Sequence, residues 1–186
     1  ADGTAAEHRT RVTLVDGEVV FAEELTIPTA WSDLARIGVR FGADIGLDRL
    51  RWLGLGPDET YPDRRAAATF GLWRTTVAEQ YHPYVVPQEY GAHVDTRWLE
   101  LTDRRGAGLR IAGDEPLVMT ARPHRDADLA AATTLAELDP STAIDVHVDA
   151  AVRGLGTGAC GPDTAPRHLV GSGRHRFTWR LGPTST

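Results

Sequence analysis

The chain has 186 residues, 41% of them apolar, and a net charge of −6, which suits one globular domain with a sizeable core, alone or within something larger. All twenty basic residues are Arg and none forms a basic block interleaved with aromatics, which argues against a nucleic-acid partner. The apolar runs are too short for a membrane-spanning helix, the first residues carry no leader pattern, and the single cysteine, Cys160, has no partner for an internal disulfide.

Residues 9–15 alternate, with Val12 and Leu14 set between Arg9, Arg11 and Thr13, the period of a half-buried strand. Asp16-Gly17 is a hairpin turn signal, and 18–27 resumes as a second strand closed by Pro28. Residues 34–41 alternate again, 42–46 read as loop, and 48–53 as a strand feeding Gly54-Leu55-Gly56-Pro57. Pro57 stops that strand, and Pro62 pushes Tyr61 out of the helical region, so 54–64 is a rigid corner. Asp58, Glu59, Asp63 and Arg64 on this corner can pair locally. Residues 65–80 mix Ala66-Ala67-Ala68 with Gly71 and Thr75-Thr76-Val77, and an irregular connection with a short helix is expected. Residues 81–91 hold two prolines and read as a long ordered loop of the kind that carries function.

A strand at 95–102, a turn at 103–106 and a return over 108–111 form a hairpin, and 116–122 is a further strand. Asp126 to Leu138 places Leu129, Ala132, Leu135 and Ala136 on one face and predicts a helix, with Asp126 or Asp128 as N-cap and Asp139-Pro140 as its stop. Residues 143–152 alternate strictly, Ile144, Val146 and Val148 against Asp145, His147 and Asp149. A Gly/Pro loop follows over 154–166, then a last strand at 173–181 with Phe177 and Trp179 on one face. About nine strands and one short helix predict an all-β fold, an antiparallel β-sandwich in a single domain over 1–186. Trp52, Trp98 and Trp179 are expected in its core.

Candidate chemistry is sparse. Asp58 and Glu59 are adjacent, so on extended backbone they point opposite ways and make a poor glycosidase pair, which needs two carboxyl groups about 5–5.5 Å apart for retention. His82, His93, His124, His147, His168 and His175 are scattered without an i, i+4 pair or a Cys/His cluster, so no metal site is predicted. Asp145/His147/Asp149 resembles a ligand stripe but reads better as the polar face of a strand. Gly154-Leu155-Gly156-Thr157-Gly158 lacks the Lys-Ser/Thr and helix of a phosphate loop.

Four ordered stretches carry a family resemblance. Gly54-Leu-Gly-Pro-Asp-Glu-Thr-Tyr-Pro-Asp-Arg64 is similar to the Gly-x-Gly-Pro-x-Glu-x-Tyr-Pro-Asp-Arg motif of the C-terminal domain of family 2 β-galactosidases. Tyr81-His-Pro-Tyr-Val-Val-Pro-Gln-Glu-Tyr-Gly91 resembles the family's Tyr-x-Pro-Tyr-x-x-Pro-Gln-Glu-Asn-Gly, with Tyr90 in place of Asn. Asp95-Thr-Arg-Trp98, and Gly154-Leu-Gly156 running into Cys160-Gly-Pro-Asp163, complete the set. The resemblance implies a galactose mutarotase-like supersandwich, part of a homo-oligomeric, cytoplasmic enzyme that hydrolyses terminal β-D-galactosides such as lactose with retention. It further implies that both catalytic glutamates lie upstream, so the chain alone is inactive. It implies no cofactor in this domain, the family's Mg and Na being bound by other domains. The upstream domains and the galactoside are the expected partners. Cys160 falls where family members carry a Trp that reaches into the active site and stacks on sugar, so it is the expected substrate-rim residue. The other reading is a free-standing carbohydrate-binding or aldose-mutarotase-like module, with His93 and Glu89 or Asp95 on one concave face.

Overall fold

The computed structural model describes residues 5–156 and 161–184. Among them run nine strands: β1 (Glu7–Val15), β2 (Glu18–Ile27), β3 (Arg36–Asp44), β4 (Arg49–Gly56), β5 (Thr69–Thr76), β6 (Ala92–Thr102), β7 (Gly108–Arg122), β8 (Ala143–Val152) and β9 (Gly173–Pro183). All strand pairs are antiparallel, in the order β1-β2-β9-β7-β6-β4-β5, with β8 on β7 and β3 outside β8.

The sheet becomes a sandwich because β7 changes partner. Its residues 109–113 pair with β9, and residues 118–122 pair with β8 on the same edge. The neighbouring β6 shifts register around Thr96, and such irregularities bend a sheet. The β2/β9 arm and the β3/β8 arm therefore diverge and then face each other. Trp179 of β9 is the hinge of that packing, stacked on Phe21 of β2 at 4.1 Å and on Phe41 of β3 at 5.8 Å between ring centroids. Its indole Nε1 donates to Glu23 at 3.1 Å, so the buried ring leaves no orphan donor.

One row of the inner face crosses seven strands in register: Leu14, Val19, Leu181, Ile111, Leu99, Trp52 and Trp73. Ile111, Leu99 and Trp52 are almost wholly buried. At the β1 end the cover runs out, and Leu14 is 74% exposed.

Several elements differ from the sequence expectation. Residues 69–76 form β5 within the stretch expected to be irregular, because tertiary pairing with β4 overrides mixed local propensity. The two strands expected at 108–111 and 116–122 are one continuous β7. Residues 42–44, expected as loop, extend β3. The expected helix over 126–138 is only α1 (Asp126–Ala131) followed by a 3₁₀ turn at Leu135–Glu137. Ala132 leaves helical dihedrals at the β-branched pair Thr133-Thr134, and the Glu137 carboxylate accepts the Thr133 N–H, holding the chain in a turn. Trp52 and Trp179 are core residues as expected, but Trp98 lies half-buried on the outer face, where Arg110 and Arg51 stack over its ring. Its register neighbours Leu53 and Ala112 are themselves on that outer face.

Candidate functional site

The corner that follows β4 is built around one carboxylate. Glu59 accepts hydrogen bonds from the Arg64 guanidinium, the Tyr84 hydroxyl and, at 2.7 Å, the Gly91 N–H. Arg64 also donates to the Tyr84 oxygen at 2.5 Å. The corner and the 81–91 loop are thereby one unit. Burial, and then the hydrogen bond to Glu59, push the Tyr84 hydroxyl up to about 12, so it stays a donor across ordinary pH. Thr60 adds a backbone link, its N–H donating to the Ala92 carbonyl at 2.7 Å while its Oγ1 accepts the Val94 N–H at 2.8 Å. The loop of 81–91 is ordered, as its composition led us to expect, and Tyr90 is buried with its hydroxyl 2.6 Å from His124 Nδ1.

Asp63 reaches from this corner to the Gly/Pro loop. Its two carboxylate oxygens accept the N–H groups of Leu155 at 3.0 Å and Gly156 at 2.8 Å. Glycine is required at two places here. A Cβ on Gly154 would fall 2.6 Å from the Asp63 carboxyl carbon. Gly156 has φ +65, in the left-handed region, and a Cβ there would press on the Thr164 nitrogen at 2.8 Å.

Arg153 closes the loop from below. Its guanidinium donates to Asp33, to Asp163 at 2.9 Å, to Thr164 Oγ1 at 2.6 Å and to the Gly154 carbonyl at 3.2 Å. Thr164 Oγ1 in turn donates to the Gly154 carbonyl at 2.7 Å. Hydrogen bonds donated to Asp33 and Asp163 raise the Arg153 pKa, and the bond accepted from Arg153 lowers that of Asp163, so both remain charged. The two ends of 154–164 meet at one cation, the arrangement of a closed surface loop carried on a rigid base. Cys160, the expected rim residue, lies outside the described residues; the stem that carries it is fully described. Arg153 was not singled out by the sequence, although an Arg directly before Gly-x-Gly was the available signal.

The stripe Asp145/His147/Asp149 of β8 is not a solvated polar face. All three residues are buried. Residues from β3, β7, α1 and the 81–91 loop cover them with charge. Arg36 bridges Glu89 at 2.7 Å and Asp149 at 3.0 Å, and Arg122 bridges Glu89 at 2.9 Å and Asp126. Arg40 donates to Asp145 at 2.5 Å, and His147 Nε2 is 3.1 Å from the same carboxylate. Burial lifts the Asp149 carboxyl to about 7 against the pull of Arg36. Burial acts the same way on Asp145, but hydrogen bonds from His147 and Arg40 win and leave it below the usual range. Asp126, Asp145 and His147 bring three possible metal ligands within 4.8 Å of one another. Arg122 and Arg40 already supply the positive charge that a cation would bring there, so the donor set does not call for a metal.

His93, Glu89 and Asp95 do not converge. His93 is fully buried, stacked on Trp52 at 3.9 Å between centroids, with Nε2 2.5 Å from Gln80 Oε1. Burial lowers its pKa to about 3, so it is a neutral core residue. Glu89 is committed to Arg36 and Arg122, and Asp95 to Arg65 at 2.9 Å. Asp58 and Glu59 likewise form no catalytic pair, since Glu59 is spent on the corner while Asp58 is exposed. The remaining candidates scatter: His82 packs on Tyr84, His168 lies beside Arg167, and His175 bonds the Gly171 carbonyl.

The profile of the Beta galactosidase small chain family matches residues 4–181. The chain is 33% identical over 141 residues to a β-galactosidase of Priestia megaterium, a match covering 76% of this chain and 14% of that relative. It is 38% identical over 122 residues to the β-galactosidase BgaC of Bifidobacterium adolescentis, covering 64% and 12%. It is also 38% identical over 147 residues to a β-galactosidase of an Arthrobacter species, covering 75% and 14%. The chain thus spans 12–14% of the length of these curated relatives. With a profile match over nearly its whole length, and the motif residues Glu59, Asp63 and Arg64 assembled into one braced corner, the chain belongs to the β-galactosidase small chain family.

Proposed function

We propose that this chain is the C-terminal, non-catalytic domain of a β-galactosidase and completes the rim of its active site. The catalytic carboxylates stand in an upstream part of the same polypeptide, which hydrolyses terminal β-D-galactosides such as lactose with retention. The observation that carries this reading is the double fastening of the 154–164 loop, by Asp63 on one side and Arg153 on the other. A loop fastened at both ends in this way suits contact with something outside the domain. Cys160 then occupies the substrate rim, where a small side chain leaves the sugar's apolar face less covered than an aromatic ring would.

The exposed end of the inner apolar row, at Leu14 and Val12 of β1, supports packing against further parts of that longer polypeptide. A cytoplasmic, homo-oligomeric parent is part of the same proposal. Among the described residues no helix is long and apolar enough to cross a membrane.

Two measurements test it. The pure chain should not turn over a chromogenic β-galactoside; a rate near that of an intact glycosidase, on the order of 10 s⁻¹, refutes the division of labour. In the full-length protein, Cys160→Trp should lower KM for lactose more than it changes kcat, by a contribution of about 1 kcal/mol for one aromatic contact. Unchanged constants refute the rim assignment.

A further inference from the structure

Strand β5 ends the sheet, and among the described residues no strand pairs with its outer edge. The Val77 N–H donates to the Asp48 carbonyl at 2.9 Å. That bond sets the phase of the ladder, because hydrogen-bonded and non-hydrogen-bonded pairs alternate along antiparallel strands. Thr75, Trp73 and Gly71 therefore bond to β4, while the N–H and C=O groups of Phe70, Leu72, Arg74 and Thr76 point outward. The Glu79 carboxylate accepts the Thr76 N–H at 2.9 Å and closes that end. The open stretch is 70–74, with Leu72 at its centre.

An open edge is a template for another strand, and here the side chains of the open residues add to the attraction. Phe70 is 54% and Leu72 60% exposed. Arg74 is exposed, and among the described residues its guanidinium has no hydrogen bond or ion pair. All three lie on the outer face, opposite Leu55, Leu53 and Arg51 of β4. The row from Leu72 to Leu53 runs on to Trp98 of β6.

We propose that this edge is a contact between two copies of the chain, in which β5 pairs antiparallel with β5 of a second copy about a twofold axis at Leu72. The stretch 70–74 is symmetric about 72, so in this register every open backbone group finds a partner. Leu72 meets Leu72 of the second copy, and each Arg74 meets the Phe70 ring across the axis, a cation beside an aromatic face. On the inner side Trp73 stands opposite Gly71, which brings no side chain against the indole. The row Trp98-Leu53-Leu72 continues into its own copy. The register centred on Trp73 instead opposes two indoles and sets Phe70 against Thr76, and the one centred on Arg74 opposes two guanidinium groups. One patch complementary to itself is the geometry of a closed dimer. The contact would serve the homo-oligomer proposed above, but it rests on the strand and not on the galactosidase reading.

The test is sedimentation of the chain over a concentration series. The expected result is a monomer–dimer equilibrium with a Kd on the order of 10 μM, as suits a small interface. Leu72→Lys sets like charges at the axis and should weaken it about tenfold or more. Leu14→Lys, on the exposed face of β1, should leave it unchanged. Both side chains are exposed, so neither variant threatens the fold. In a Cys160→Ser background, Leu72→Cys should give a disulfide-linked dimer with oxidised glutathione, because directly opposed hydrogen-bonded residues stand about 5.5 Å apart at Cα. Arg51→Cys, one strand further from the axis, should not. A chain that stays monomeric throughout the series, a dimer indifferent to Leu72→Lys, or a Leu72→Cys variant that does not cross-link overturns the proposal. Lactose kinetics play no part in these readouts, so this contact and the rim assignment can each fail alone.

Discussion

Asp63 accepts the Gly156 N–H at 2.8 Å across ninety-three residues of sequence, and the Leu155 N–H beside it at 3.0 Å. The corner after β4 therefore sets the position of a loop that begins after β8. Asp63→Ala removes the acceptor and leaves two backbone donors to water. Amide exchange at Leu155 and Gly156 should accelerate by about tenfold or more, the loss of one charge-assisted hydrogen bond, while amides of β6 stay protected. On the proposed rim reading, the same substitution in the full-length protein should raise KM for lactose. Unaltered exchange would show that Arg153 alone holds the loop.

Trp179 joins the two arms of the sandwich through Phe21 and Phe41. Trp179→Ala should cost about 3–5 kcal/mol, as expected for a buried aromatic, and it also strips Glu23 of its indole donor. Urea denaturation measures it; a midpoint equal to that of the wild type would mean the arms do not depend on this contact.

His93 is held neutral down to about pH 3 in the folded chain, against an unfolded value near 6.5. A depressed folded pKa contributes stability that is present above about 6.5 and is lost as pH falls toward 3. His93→Phe keeps a ring on Trp52 and removes the titration. Its unfolding free energy should fall less steeply over that window than the wild type's, measured by denaturant titrations at stepped pH.

Asp149 has the opposite sign. Its folded pKa is lifted to about 7 by burial, with Glu89 and Asp126 adding to the lift and Arg36 and Arg122 opposing it. The unfolded carboxyl titrates near 3.9. Its contribution is greatest below that value and is lost as pH rises through 7. Asp149→Asn should abolish this decline, so the difference between variant and wild type should grow in the variant's favour from pH 4 to 7. A difference independent of pH would show that the carboxyl is ionised throughout.

Much of the architecture is legible in the residues. Strict alternation over 143–152, the Asp16-Gly17 turn and the Phe177/Trp179 face give β8, the first hairpin and the inner face of β9 directly, because side chains alternate across a strand whatever surrounds it. The four motifs identify the family before any coordinate is seen, since ordered matches over most of the chain are far more specific than any one. Period alone could not say which side of β8 meets solvent. Asp145, His147 and Asp149 read as a wet face, yet they are buried, because Arg36, Arg40, Glu89, Arg122 and Asp126 arrive from four other elements to neutralise them. Nor could sequence find β5, whose Gly71 and Thr75-Thr76 make sense only beside β4. Asp63 stands in a family motif and Arg153 is an ordinary charged residue, but neither shows its partners in the sequence. Only the fold, by bringing 63, 153 and 163 together over the ends of one loop, makes them its fastening, because hydrogen bonds act over a few ångströms of space and not over separation in the chain.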